Sequence, residues 1–115
     1  MKKFVVLYHA PASALAETAN LSSEEQAKGM EAWGEWADRL GDKLVDMGNP
    51  LINGEEIGAN GERRTSDKNV SGYSILQAES LEEAKGLLEN HPHLAWNPEN
   101  SIEVHEEMPL PGMEA

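Results

Sequence analysis

The chain has 115 residues, 21 Asp and Glu against nine Lys and Arg, and a formal net charge of −12, a length that bounds it to one ordinary domain. That charge balance excludes a nucleic-acid groove and an anionic membrane surface as partners, and zero Cys excludes disulfides, thiolate catalysis and Cys-based zinc sites. Leu, Ile, Val and Phe number only 22, which composition allows for a disordered acidic chain or for a fold short of its own core.

Phe4-Val5-Val6-Leu7-Tyr8 is apolar at every position and is punctuated by Pro11. Such a run predicts a central strand over 1–9, covered on both sides. It is too short for the apolar part of a signal peptide, and no stretch approaches the ~18 apolar residues that span a bilayer. A cytoplasmic location is therefore expected. Residues 10–21 read as a loop with helical turns. Ser22 with Glu25, or Ser23 with Gln26, forms a capping box that opens a helix. Apolar residues then recur at Ala27, Met30, Trp33, Ala37, Leu40, Leu44 and Met47, the period of one helical face, so a helix is expected over 22–47. Gly48-Asn49-Pro50 ends it. Gly34 and Gly41 border the stripe and read as points where backbone approaches backbone.

Residues 50–69 carry two short segments, Pro50-Leu51-Ile52 and Glu62-Arg63-Arg64-Thr65, punctuated by Asn53-Gly54 and Asn60-Gly61, which is hairpin chemistry. A strand is expected over 70–77, with Gly72 at a bulge or close contact. Ser80 caps a second helix over 80–90 with Leu81, Ala84, Leu87 and Leu88 on its apolar face, and His91-Pro92 terminates it. In the last strand, 101–107, Ile102 and Val104 alternate with Glu103, His105 and Glu107, one face covered and one wet or partnered. The order β-α-β-β-α-β is that of a ferredoxin-like α+β fold with an antiparallel sheet. Both helices fall on one sheet face, and a second copy of the chain is the expected cover for the other.

Four stretches resemble the YCII-related family, in particular its subgroup named for an Asp-Gly-Pro-Phe motif. They are Lys3 to Tyr8, the capped helix from Ser23, Gly72-Tyr73-Ser74-Ile75 before Ser80-Leu81-Glu82-Glu83-Ala84, and Ser101-Ile102-Glu103-Val104 before a Pro-rich tail. The resemblance implies a homodimer in which two sheets form a dimeric α+β barrel, and it implies no settled activity. Asp67 stands for the Asp of the motif, although Lys68-Asn69 follow it. Members that use a His–Asp pair carry the His near the start of the first helix. Here that helix contains no His, and His91 occupies the place of the Asp, so that dyad is absent.

Four histidines are available: His9, His91, His93 and His105. His-x-His spacing at 91 and 93 permits two metal ligands, but no third is defined and no metal is expected. The bland reading has His91 capping a helix C-terminus as an imidazolium. The functional one makes His9 and His91 acid–base groups near pH 7, with His93, Trp96, Tyr73 and Asp67 binding the ligand. Trp33 falls on the core stripe, whereas Trp36 lies off its centre. Arg63 and Arg64 form a fork for an anion or simply balance nearby acids. No phosphate-cradling loop, nucleophile elbow or dinucleotide fingerprint occurs. The expected function is binding of a small organic molecule in a barrel pocket, without a cofactor and with histidine chemistry as an option. The alternative is a non-catalytic interaction module acting through its dimer surface and acidic tail. A haem-handling dimer stands third, by analogy of fold alone.

Overall fold

The computed structural model describes residues 1–14 and 20–112. Part of the 10–21 loop and the last three residues of the acidic tail lie outside them. The element order is β1 (Lys2–His9), α1 (Ser23–Leu40), a short 3₁₀ turn (Gly41–Lys43), β2 (Leu44–Asp46), β3 (Glu55–Ile57), β4 (Arg63–Thr65), β5 (Val70–Ala78), α2 (Leu81–Leu87), α3 (Pro92–Trp96) and β6 (Ser101–Glu106). Four strands form a sheet in the order β2-β5-β1-β6, and every neighbouring pair is antiparallel. The chain is thus a small α+β protein with an antiparallel sheet. Strands β3 and β4 form a separate two-stranded hairpin. Among the described residues no helix is long and apolar enough to cross a membrane.

Alternation along β1 sets the two sides of the sheet. Phe4, Val6 and Tyr8 are buried, together with Ser74, Leu76 and Ala78 of β5. Trp36 and Leu40 of α1, and Ala84 and Leu88 from the second helical segment, close this core. Val5, Leu7 and His9 point the other way and are only half-buried. Their register partners Ile75 and Tyr73 on β5, and His105 and Glu103 on β6, share that open side.

The Ser22–Glu25 capping box is present, with Ser22 Oγ accepting from the Glu25 backbone N–H at 3.1 Å. Helix α1, however, stops at Leu40 rather than running to 47. Gly41 takes φ +58°, and its N–H still donates to the Ala37 carbonyl. This left-handed residue turns the chain into the 3₁₀ turn and then into β2. Leu44 and Met47, which continue the apolar period in sequence, therefore lie beyond the helix. Without them the buried face shifts: Trp36 is 2% exposed, Trp33 is half-buried and Met30 is 65% exposed.

The backbone contacts expected at Gly34 and Gly41 are also absent, since nothing lies within 4 Å of a Cβ built at either. The close approach occurs at Gly48. There φ is +77°, and an added Cβ would sit 1.8 Å from the Tyr73 carbonyl oxygen. Gly72 lies at a register shift where Tyr8 pairs with Gly72 but His9 with Val70, leaving Ser71 as the extra residue of a bulge.

Candidate functional site

The segment from His91 to Trp96 organises the site. His91 does not cap the C-terminus of the preceding helix. It is the N-cap of α3, with Pro92 in the first turn, and its Nδ1 accepts the His93 backbone N–H at 3.0 Å. The His-Pro pair is a start signal rather than a stop, because Pro has no N–H to leave unsatisfied in a first turn. Accepting at Nδ1 fixes the tautomer, so the ring hydrogen is on Nε2. That atom lies 3.2 Å from Tyr8 Oη. Tyr8 Oη lies 2.7 Å from Ser74 Oγ, and Ser74 Oγ donates to the Met47 carbonyl at 2.6 Å. A carbonyl only accepts, so the chain has one direction: His91 donates to Tyr8, Tyr8 to Ser74, Ser74 to Met47.

Aromatic rings enclose this chain. His91, 0% exposed, meets Trp36 at a centroid distance of 4.3 Å, Trp33 at 4.5 Å and Tyr8 at 5.1 Å. Trp33 packs edge-on to Tyr8 at 5.1 Å, a preferred arrangement for two quadrupoles. Trp36 Nε1 donates to the Leu87 carbonyl at 3.0 Å and ties α1 to α2. Burial pushes the His91 imidazole down to about 3, with the nearby His93 and Arg39 adding to the effect. Burial likewise pushes the Tyr8 phenol up to about 12, against the opposing bond to Ser74. Both groups are uncharged across the ordinary pH range.

Beside this network lies a cavity of about 410 Å³, within the range of small-molecule sites. Its walls include Tyr8, Trp33, Met47, Trp96, His93 and Asn100. His93 Nε2 donates to the His9 carbonyl at 2.9 Å, and Asn100 Nδ2 donates to the His93 carbonyl at 3.0 Å. The His93 imidazole is lowered chiefly by burial, opposed by its hydrogen bonds to the backbone of His9 and Ser101. A second, more open cleft of about 870 Å³ lies between α1 and α3 and shares Met30, Trp33, His93 and Trp96 with the first.

The structure brings His91, His93, Trp96 and Tyr73 to this region and leaves His9 and Asp67 out of it. His9 and His91 do not converge, because adjacent residues Tyr8 and His9 point to opposite sides of the sheet. The His9 side chain instead faces the Lys68 carbonyl (2.8 Å) and Glu103 Oε1 (2.6 Å), and Glu103 Oε2 contacts His105 Nε2 at 2.8 Å. Those two imidazoles hold the Glu103 carboxyl below its usual range, His105 more than His9. The Asp67 side chain is 81% exposed, 3.7 Å from Lys68 Nζ, and lines no part of the cavity. Arg64 is engaged by Glu56 through Nε and Nη2, at 3.0 and 2.8 Å. Among the described residues no group of three or more His, Asp or Glu side chains is placed to hold a metal ion. Tyr8, Ser74 and Asn100 are missed by sequence reasoning. Tyr8 and Ser74 sit inside strand patterns that read as core, and the partners of their hydroxyl groups are 27 or more residues away.

No family model matches the chain, and no curated protein matches it. A solved structure does: 5-chloro-2-hydroxyhydroquinone dehydrochlorinase from Burkholderia phenoliruptrix, in complex with 2,5-dihydroxybenzoquinone. The two align with a TM-score of 0.55 and 18% identity, covering 97% of this chain and 99% of the other. At that identity the likeness is one of fold alone.

Proposed function

We propose that the cavity beside His93 binds a small, flat organic molecule, and that the protein acts as a YCII-related homodimer. The supporting observation is the cavity itself, about 410 Å³ walled by Trp33, Met47 and Trp96 with His93 and Asn100 as polar contacts. Apolar walls with a few polar groups are the usual composition of a ligand pocket. The similar dehydrochlorinase structure carries a flat six-membered ring, 2,5-dihydroxybenzoquinone, and the pocket here suits a ligand of that size. Acid–base work in this reading falls to His93, which lines the cavity, whereas His91 is sealed and acts through Tyr8 as a positioning residue. The reading requires no cofactor.

The strand order is read as ferredoxin-like, with α1 and α2 on one side of the sheet. The other side presents half-buried Val5, Leu7 and Ile75, and a second copy supplies their cover. Titration of the protein with 2,5-dihydroxybenzoquinone and simple phenols, followed by NMR, tests the ligand reading. Saturable shifts at the Trp33 and Trp96 indoles are expected, weakened at least about tenfold by Trp96→Ala. Failure of every flat aromatic probe to shift those signals overturns it. Sedimentation at micromolar concentration tests the dimer, and a folded monomer there rejects it.

A further inference from the structure

His9 presents both of its ring nitrogens to acceptors. Its Nδ1 lies 2.8 Å from the Lys68 carbonyl, and its Nε2 lies 2.6 Å from Glu103 Oε1. A carbonyl and an ionised carboxylate only accept, and a neutral imidazole carries one N–H. The two contacts together therefore need one proton more than neutral His9 and ionised Glu103 supply. His105 and His9 hold the Glu103 carboxyl below its usual range, which favours the imidazole as the place of that proton. His105, at 2.8 Å from the other carboxylate oxygen, is satisfied there as a neutral ring donating through Nε2.

The surrounding groups leave this arrangement to the pair. Lys68 Nζ is turned to Glu56 and Asp67, at 3.4 and 3.7 Å. Tyr73 stands opposite Leu7 on β5, and Lys3 and Glu107 lie farther along the same side of the sheet. The His93 ring meets His9 through its backbone carbonyl. What the two contacts join gives the proton a mechanical role. Lys68 belongs to the connection between β4 and β5, and the next residue, Asn69, accepts the Ala10 N–H at 2.9 Å. Glu103 belongs to β6.

We propose that His9 is a pH-sensitive clasp, whose imidazolium form fastens the Lys68–Asn69 connection to β1 and β6 and whose neutral form releases it. With one hydrogen left, the ring keeps the carboxylate, the stronger acceptor. Its bare Nδ1 then faces the Lys68 carbonyl, lone pair against lone pair, and that end opens. The clasp is thus closed in the protonated state and loosens as rising pH removes the second proton.

Ring-nitrogen NMR and amide hydrogen exchange, followed together against pH, test this on the intact chain. At the acid end both His9 nitrogens are expected to read as N–H, and at the alkaline end Nε2 alone. Over the same step the protection of the Ala10 amide is expected to fall about fivefold, the worth of one hydrogen bond. In Glu103→Gln the carboxamide donates to Nε2, so neutral His9 carries its hydrogen on Nδ1 and keeps the Lys68 carbonyl. The tautomer is then reversed, and Ala10 protection no longer changes as His9 titrates. His105→Gln is expected to retain the coupling. Ala10 protection that stays flat across the His9 titration overturns the clasp, and that readout needs no variant. Coupling that survives in Glu103→Gln overturns the role of the carboxylate. A neutral His9 beside a protonated Glu103, read from the carboxyl carbon shift, overturns the placement of the proton.

Discussion

The two sides of the sheet are built from alternate residues of the same strands, yet they treat histidine in opposite ways. On the covered side His91 is enclosed by Tyr8, Trp33 and Trp36, uncharged, with both ring nitrogens committed to neutral partners. On the open side His9 and His105 flank the Glu103 carboxylate, in contact with solvent. Burial decides the difference. Where water is excluded, the charged form of imidazole loses its hydration, and neutral hydrogen bonding wins. Where water remains, the imidazoles hydrogen-bond to a carboxylate, and solvent screens that contact so that it contributes little to stability. The covered side is therefore where the fold is held.

Adjacent residues on β5 put this contrast to its strongest test. Leu76→Ala removes a side chain that is fully buried and is expected to cost about 2–5 kcal/mol in denaturant unfolding. Ile75→Ala, one residue along and half-buried, is expected to leave unfolding of the single chain far less affected and to weaken self-association instead. Equal costs at low protein concentration would erase the distinction between the two sides.

An intermediate effect is expected from acid. The folded His91 sits near 3, below its ordinary 6.5, so the unfolded chain takes up the proton more readily. Stability is complete above about pH 6.5 and is lost progressively as the pH falls toward about 3, at no more than roughly 1.4 kcal/mol per pH unit from this group. His91→Asn keeps an N-cap acceptor and is expected to flatten the acid limb of a stability profile while lowering stability at neutral pH. An unchanged acid slope would place the titration elsewhere. The smallest change is expected from Glu103→Gln on the open side: a barely moved thermal midpoint at neutral pH, with the cavity's ligand affinity intact.

Local signals made much of this fold legible. The Ser22–Glu25 box, the Ser80 cap, the apolar run of β1 and the alternation of Ile102 and Val104 are all short-range patterns. The end of α1 was hidden because Leu44 and Met47 extend a helical period that Gly41 breaks with its backbone alone. The phase of the buried face shifts with it, and Trp36, off the centre of the sequence stripe, belongs to the core. The candidate site was legible only in part. His91, His93 and Trp96 stand out as unusual residues near one another in sequence. Tyr8, Ser74 and Asn100 come together through strand pairing and loop packing, which no single stretch encodes. Asp67 drew attention through a family motif, but it sits beside the two-stranded hairpin, whose side chains meet water.

The one-way chain from His91 to the Met47 carbonyl has a kinetic consequence. A proton relay must reset, with every donor turning into an acceptor after each passage. Here both ends forbid that reversal, since the His93 N–H can only give and the Met47 oxygen can only receive. The Tyr8 and Ser74 hydroxyl rotors are thus locked in one orientation, acting as a latch between β1, β5, the β2–β3 connection and α3. Their hydroxyl hydrogens should exchange with solvent only when that latch opens, so their exchange rate reads out how often the cavity's back wall gives way.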